Sequence, residues 1–282
     1  MNFLRQLRGE LRKLFGRPRS FMGYGSFLVM EALILFLYKR PLVQEEFRKR
    51  LETNNLEFGF YNSSLTVTFT IMLISMVLLG SIFFALVAGD IVAKETEDGN
   101  LRLVMSRPVS RLRLILIKYS AVLIYTVSFV FFVGVSGYLM AVTALGWDGS
   151  LIVIEPRMKV FSFFPTWSEG AARLALGATG IALSMITIST LAFMFSCFRI
   201  KPAAATIMTL SILFVDFIVQ AFPFFRPYEE YFITWRMGCW VYLLETPISW
   251  PKILDAYGFL FGLNATMLLI GYTAFRLRDF KT

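Results

Sequence analysis

Charged side chains gather where this chain is least apolar around them. Between two long apolar runs lies Gly89 to Lys118, GDIVAKETEDGNLRLVMSRPVSRLRLILIK. Its acids are Asp90, Glu95, Glu97 and Asp98, and its bases include Lys94, Arg102, Arg107, Arg111 and Arg113. Mixed charges of this density do recognition chemistry: ion pairs and charge-assisted hydrogen bonds to another surface. Bond-making chemistry has little to work with. The chain has no histidine, which removes the commonest general base and metal ligand. It has no H-E-x-x-H metal motif and no G-x-x-x-x-G-K-[ST] phosphate loop. Two acids, Glu31 and Asp216, sit inside otherwise apolar runs. An aspartyl mechanism needs paired carboxylates at matching depth, and only Asp216 is a clear candidate. Glu31 and Asp216 are therefore candidate intramembrane polar sites, expected to be protonated, to face a wet cavity or to meet a hydroxyl such as Thr187, Ser189 or Thr266, and to mark a substrate path, a dimer-interface site or a hydrogen-bonded packing contact.

The elements that must position these residues follow from composition. The 282 residues are 57% hydrophobic and 17% charged, with mean hydropathy +0.65. A soluble domain carries about 25% charge, and here the apolar residues come in blocks long enough to span a bilayer. Six such segments run about Phe21–Tyr38, Leu65–Ala88, Leu114–Leu145, Ala171–Phe198, Ala203–Phe222 and Ile253–Phe275. The third is longer than a bilayer needs, and Gly134 and Gly137 offer it a place to bend. The expected fold class is all-α: a polytopic membrane protein and a single domain over residues 1–282. Lys118 and Arg173, near span ends, are expected to snorkel to the surface.

An even number of spans puts both termini on one side. The larger share of basic residues falls on the termini, on the Gly89–Lys118 loop and on Arg199 and Lys201, which predicts a cytoplasmic location for those segments. The net charge of +9 then serves orientation and contact with anionic lipid, not nucleic acid. Cys197 and Cys239 fall on opposite sides in this topology, so no disulfide is expected between them. In residues 1–19, Phe3, Leu4, Leu7, Leu11, Leu14 and Phe15 form one apolar stripe, predicting an amphipathic interfacial helix broken by Gly16 and Pro18. Residues 223–252 are aromatic and proline-rich, predicting short helices that dip back into the outer leaflet.

Within the loop, Asp90 and Lys94 are four apart and favour a helical turn. Gly99 predicts a stop, Asn100 a cap for a short helix from Leu101, Pro108 its end, and Ser110 the cap of the third span. This run resembles the intracellular loop of ATP-binding-cassette permeases of the ABC-2 class. The family pattern is an acid and a glutamate, then G-T-L, then P-x-x-R and a lysine. Asp90 supplies the acid, and Glu95, Gly99, Leu101, Pro108, Arg111 and Lys118 fall on the remaining positions; Asn100 departs from the usual threonine. The run from Arg8 to Arg17 resembles the family's opening helix.

The resemblance implies a permease subunit of an ATP-binding-cassette transporter, working as an exporter in the plasma (inner) membrane. Residues 89–113 would be the cytoplasmic coupling loop, with Asp90, Glu95, Gly99, Leu101, Pro108 and Arg111 as its coupling residues. It implies a separate ATPase subunit carrying ATP and Mg, a second permease subunit, and no cofactor or catalytic site in this chain. An accessory protein outside the membrane is a further expected partner. The alternatives are a membrane scaffold passing force to that partner without transport, and, with less support, an intramembrane enzyme.

Overall fold

The computed structural model describes residues 3–54, 56–101, 110–147 and 149–278. The fold is α-helical throughout, apart from one small hairpin. Helix α1 spans Phe3–Phe15, α2 Pro18–Tyr38, α3 Pro41–Glu52 and α4 Phe58–Tyr61. Helix α5 runs over Ser64–Glu97, with one π turn at Met76–Gly80. Helix α6 covers Arg111–Leu145, α7 Trp167–Ser196, α8 Pro202–Ala221, α9 Ile233–Gly238 and α10 Trp250–Arg276. Strands β1 (Leu151–Glu155) and β2 (Val160–Phe164) pair antiparallel between α6 and α7, Leu151 opposite Phe164 and Glu155 opposite Val160. Helices α2, α5, α6, α7, α8 and α10 are each long and apolar enough to cross a membrane, in agreement with a six-span polytopic chain.

Local sequence sets the helix starts. Pro18, Pro41 and Pro202 each stand in the first turn, where a missing N–H costs nothing. The Ser63, Ser110 and Thr166 hydroxyls accept hydrogen bonds from the backbone N–H of Thr66, Arg113 and Glu169, capping α5, α6 and α7. The second span does not end near Gly89. It continues as helix to Glu97, because the run from Asp90 contains no breaker until Gly99.

Helix α7 is the central post, 83% of its apolar window being buried, with α5, α6, α8 and α10 packed around it. Small residues let the neighbours close on it. A Cβ at Gly180 would stand 2.6 Å from Leu243 Cδ1 and 2.8 Å from Trp240 Cβ. Helix α6 is unbroken through Gly134 and Gly137, which face Met72 and Ile71 of α5, Gly137 toward Ile71 Cγ2, and let that helix approach. In α10, by contrast, Gly258 and Gly262 face nothing within 4 Å, so their spacing serves no contact inside the chain.

After α8 come a 3-10 helix at Pro223–Tyr231, then α9, then a 3-10 helix at Cys239–Leu244. The last of these is buried throughout and packs on α7. The short-helix geometry expected for residues 223–252 is therefore present. The β hairpin was not legible as such: its alternation of Val160, Ser162 and Phe164 inward with Phe161 and Phe163 outward is carried over only five residues.

Candidate functional site

The charges of the loop converge on its two roots, the end of α5 and the start of α6. Lys118, on the second turn of α6, is buried at 1% exposure instead of snorkelling. Its Nζ donates to Glu95 Oε2 at 2.6 Å and to Glu10 Oε2 at 3.1 Å. Lys13 bridges the same two acids, at 3.0 Å from Glu10 and 3.8 Å from Glu95, and Arg17 lies 3.8 Å from Glu95. One turn earlier on α5, Asp90 pairs with Arg19 of α2, not with Lys94. Helix α1 brings Glu10 to this place because Leu14 is buried beside it and the Phe15 ring stacks at 5.2 Å on Tyr125 of α6. Buried groups of opposite charge this close offset one another's loss of water, and leaving any one of them unpaired would cost several kcal/mol, about 3–5.

A second set of bonds ties the same roots to the end of α10. Arg111 Nη1 donates to the carbonyl oxygens of Arg276 and of Arg278, the latter at 2.9 Å. Arg278 Nη1 donates to Thr96 Oγ1 at 3.2 Å. Gly89 stands against α8, where a Cβ would lie 3.0 Å from Thr206 Oγ1. Both roots of the loop are thus joined to α1, α2, α8 and α10 in one collar.

Six sequence-derived coupling residues fare differently. Asp90 and Glu95 are at 5% and 6% exposure and point into the collar, so neither carboxylate offers itself to another protein. Glu97 and Asp98 are exposed at the tip of α5. Gly99 has φ +72°, a left-handed conformation that glycine adopts without strain. Leu101 is buried at 1% against the core, and Arg111 is partly buried at the α6 root. Pro108, with the expected short helix after Leu101, lies outside the described residues. Ser110 caps α6 as its position suggested.

The two intramembrane acids are far from this collar and find partners other than those expected. Glu31 of α2 is fully buried, and its Oε1 accepts from Ser136 Oγ of α6 at 2.8 Å. Its Oε2 has no hydrogen-bond partner among the described residues. Thr187 and Ser189 are taken by Asn264 and Thr126, and Thr266 by its own helix. Asp216 accepts from the backbone N–H of Ile233 and Thr234 and from the Thr234 hydroxyl, at 3.1, 2.8 and 2.6 Å. It holds the start of α9 in place.

Glu10, Arg19 and Arg278 were not singled out by sequence. One signal for Glu10 existed: it is the lone acid of α1 and lies with Leu7, Leu11 and Leu14 on the apolar stripe, a position that demands a buried base. Arg19 and Arg278 had no such mark, since bases next to spans are expected on orientation grounds alone. No family model, curated protein or solved structure matches the chain.

Proposed function

We propose that this chain is a permease subunit of an ATP-binding-cassette transporter of the ABC-2 class, and that it works as an exporter. In this reading it sits in the plasma (inner) membrane with both termini and the loop after α5 in the cytoplasm. Helix α1 lies along the cytoplasmic interface, with Leu4 exposed toward lipid. A separate ATPase subunit, carrying ATP and Mg, docks on the loop between α5 and α6. Residues 223–252 form the re-entrant helices of the outer side.

The observation that carries the reading is the collar. A push on the loop would reach α1 through Glu95 and Lys118, α2 through Asp90 and Arg19, and α10 through Arg111 and Arg278, with α8 packed against Gly89. A solvated turn between two spans needs no such mounting. The uncovered Gly258 and Gly262 face of α10 supports a second permease subunit, since small residues four apart let helices approach closely. The exposed Trp147, Tyr231 and Phe224 at the other end of the spans favour, as a second reading, force passed to an accessory protein outside the membrane.

The test is affinity purification of the chain in mild detergent from its native membrane, with mass spectrometry of stoichiometric partners. A copurifying P-loop ATPase is the expected result. Recovery of the chain alone, or only with proteins that bind no nucleotide, would sink the transporter reading.

A further inference from the structure

A large cavity lies apart from the collar, lined by none of the collar's residues. It has a volume of about 820 Å³ and lies between the π turn of α5, the middle of α7, α8 and the 3-10 helix at Cys239–Leu244. Small-molecule sites run about 300–1,000 Å³. Its walls are apolar side chains such as Met76, Met185, Leu213 and Trp240. Val77, Leu78, Phe214 and Phe217 along its open side are among the most exposed apolar residues of the spans, so the cavity opens sideways, toward the bilayer. The π turn contributes directly, because the extra residue in the turn displaces Met76–Gly80 from the regular helix path.

The mouth is charged. The turn of the β hairpin brings Arg157 and Glu155 to its rim. The Arg157 guanidinium lies 5.2 Å from the Trp235 ring centroid and 5.9 Å from that of Phe217, contacts that hold it at the cavity while its N–H groups can fork onto an oxyanion. Neither Arg157 nor Glu155 has an ion-pair partner within 4 Å among the described residues. An apolar slot open to lipid, with a base and an acid at one rim, matches a zwitterionic lipid. A net-anionic lipid would place its phosphate on Arg157 but bring no ammonium to Glu155, leaving that carboxylate uncompensated.

We propose that this cavity holds one amine-bearing phospholipid: an acyl chain in the slot, its phosphate on Arg157 and its headgroup ammonium on Glu155. The lipid is a resident of the fold, and the proposal needs neither an ATPase nor transport.

The experiment is native mass spectrometry of the purified full chain after exchange into detergent with equal amounts of phosphatidylethanolamine and phosphatidylglycerol. The expected result is one phosphatidylethanolamine retained per chain. Loss of the charged hydrogen bonds in Arg157→Gln should lower retention about tenfold. Glu155→Gln should abolish the preference between the two lipids while leaving phosphate binding. Ser211→Phe, which fills the slot and leaves both charges, should also expel the lipid. Circular dichroism of each variant confirms that it is folded. Retention unchanged in Arg157→Gln and Ser211→Phe, equal retention of the two lipids by the natural chain, or a lipid-free dimer with the slot shielded by the second copy would each overturn the proposal.

Discussion

At the scale of single residues, Lys118 is the side chain on which most depends. A buried ammonium shared by two carboxylates is destabilising to break from either side, because the remaining charge stays in place without its partner. Lys118→Ala should therefore cost roughly 3–5 kcal/mol, read as a lowered Tm in detergent, and Lys118→Met, which keeps the volume but still strands Glu10 and Glu95, should recover little of it. The cluster also carries a pH signature. Burial pushes the Glu10 carboxyl up, but the Lys118 and Lys13 charges outweigh it and hold it below its ordinary 4.5. Burial pulls Lys13 down, and Glu10 and Glu95 outweigh that and leave it above its ordinary 10.5. A lowered acid stabilises above its unfolded pKa and loses that contribution as pH falls through its folded one; a raised base stabilises below its unfolded pKa and loses it as pH rises through its folded one. The Tm difference between the natural chain and Glu10→Gln should be widest between pH 4.5 and 10.5 and narrow on both sides. A difference that does not change with pH would remove the ion pairs from the explanation. Glu31 gives a separate test. Ser136→Ala strands a buried carboxylate oxygen and should cost about 1–3 kcal/mol, whereas Ser136→Ala combined with Glu31→Leu should restore most of it in unfolding measurements.

At the scale of elements, the spans were legible because each is a long apolar run, and the caps because Ser110 and Gly99 are the residue types those positions require. What escaped the sequence was which side chain meets which. The spacing of Asp90 and Lys94 favours a pair on one helix, but Asp90 turns to Arg19 seventy-one residues away, a contact no local pattern encodes. Glu31 likewise chose Ser136 of α6 over the hydroxyls of α7, because rotation of α2 about its own axis is set by packing, not by hydropathy. The glycines show the same division. Their spacing marks close approach but not where it occurs, and the structure separates Gly180, jammed against Trp240 and Leu243, from Gly258, which faces open space. Gly180→Ala should cost about 1–3 kcal/mol by overpacking. Gly258→Ala should leave the Tm of the single chain unchanged or slightly higher, helix propensity favouring alanine by about 1 kcal/mol. Crosslinking of that pair of variants in membranes then reads out the second subunit: loss of dimer in Gly258→Ala alone places the partner on the α10 face.

At the scale of the whole molecule, the loop and its collar divide one task between two sets of acids. Glu97 and Asp98 are exposed at the tip of α5 and are free to meet a partner; Asp90 and Glu95 are inside and tie the end of α5 to α2, to α1 and to the start of α6. The sequence resemblance marks Glu95 and Arg111 as coupling residues without saying how they couple. In the proposed transporter the collar would supply a physical meaning: Glu95 sits on Lys118 and Arg111 on the end of α10, so both would act as positioning residues for the loop. The two sets should fail differently. Charge reversal of the tip, Glu97→Lys with Asp98→Lys, removes only exposed carboxylates and should leave the unfolding free energy within about 0.5 kcal/mol of the natural chain, as surface substitutions do, while weakening copurification of the proposed ATPase. Glu95→Ala should lower Tm strongly and, in chains that remain folded, leave the ATPase bound but its activity unresponsive to the permease, because the loop still docks and its push no longer reaches α1. A tip reversal that leaves copurification intact, or a Glu95→Ala chain that loses the ATPase at undiminished Tm, would place the docking charges on Glu95 itself and dissolve the division between loop and collar.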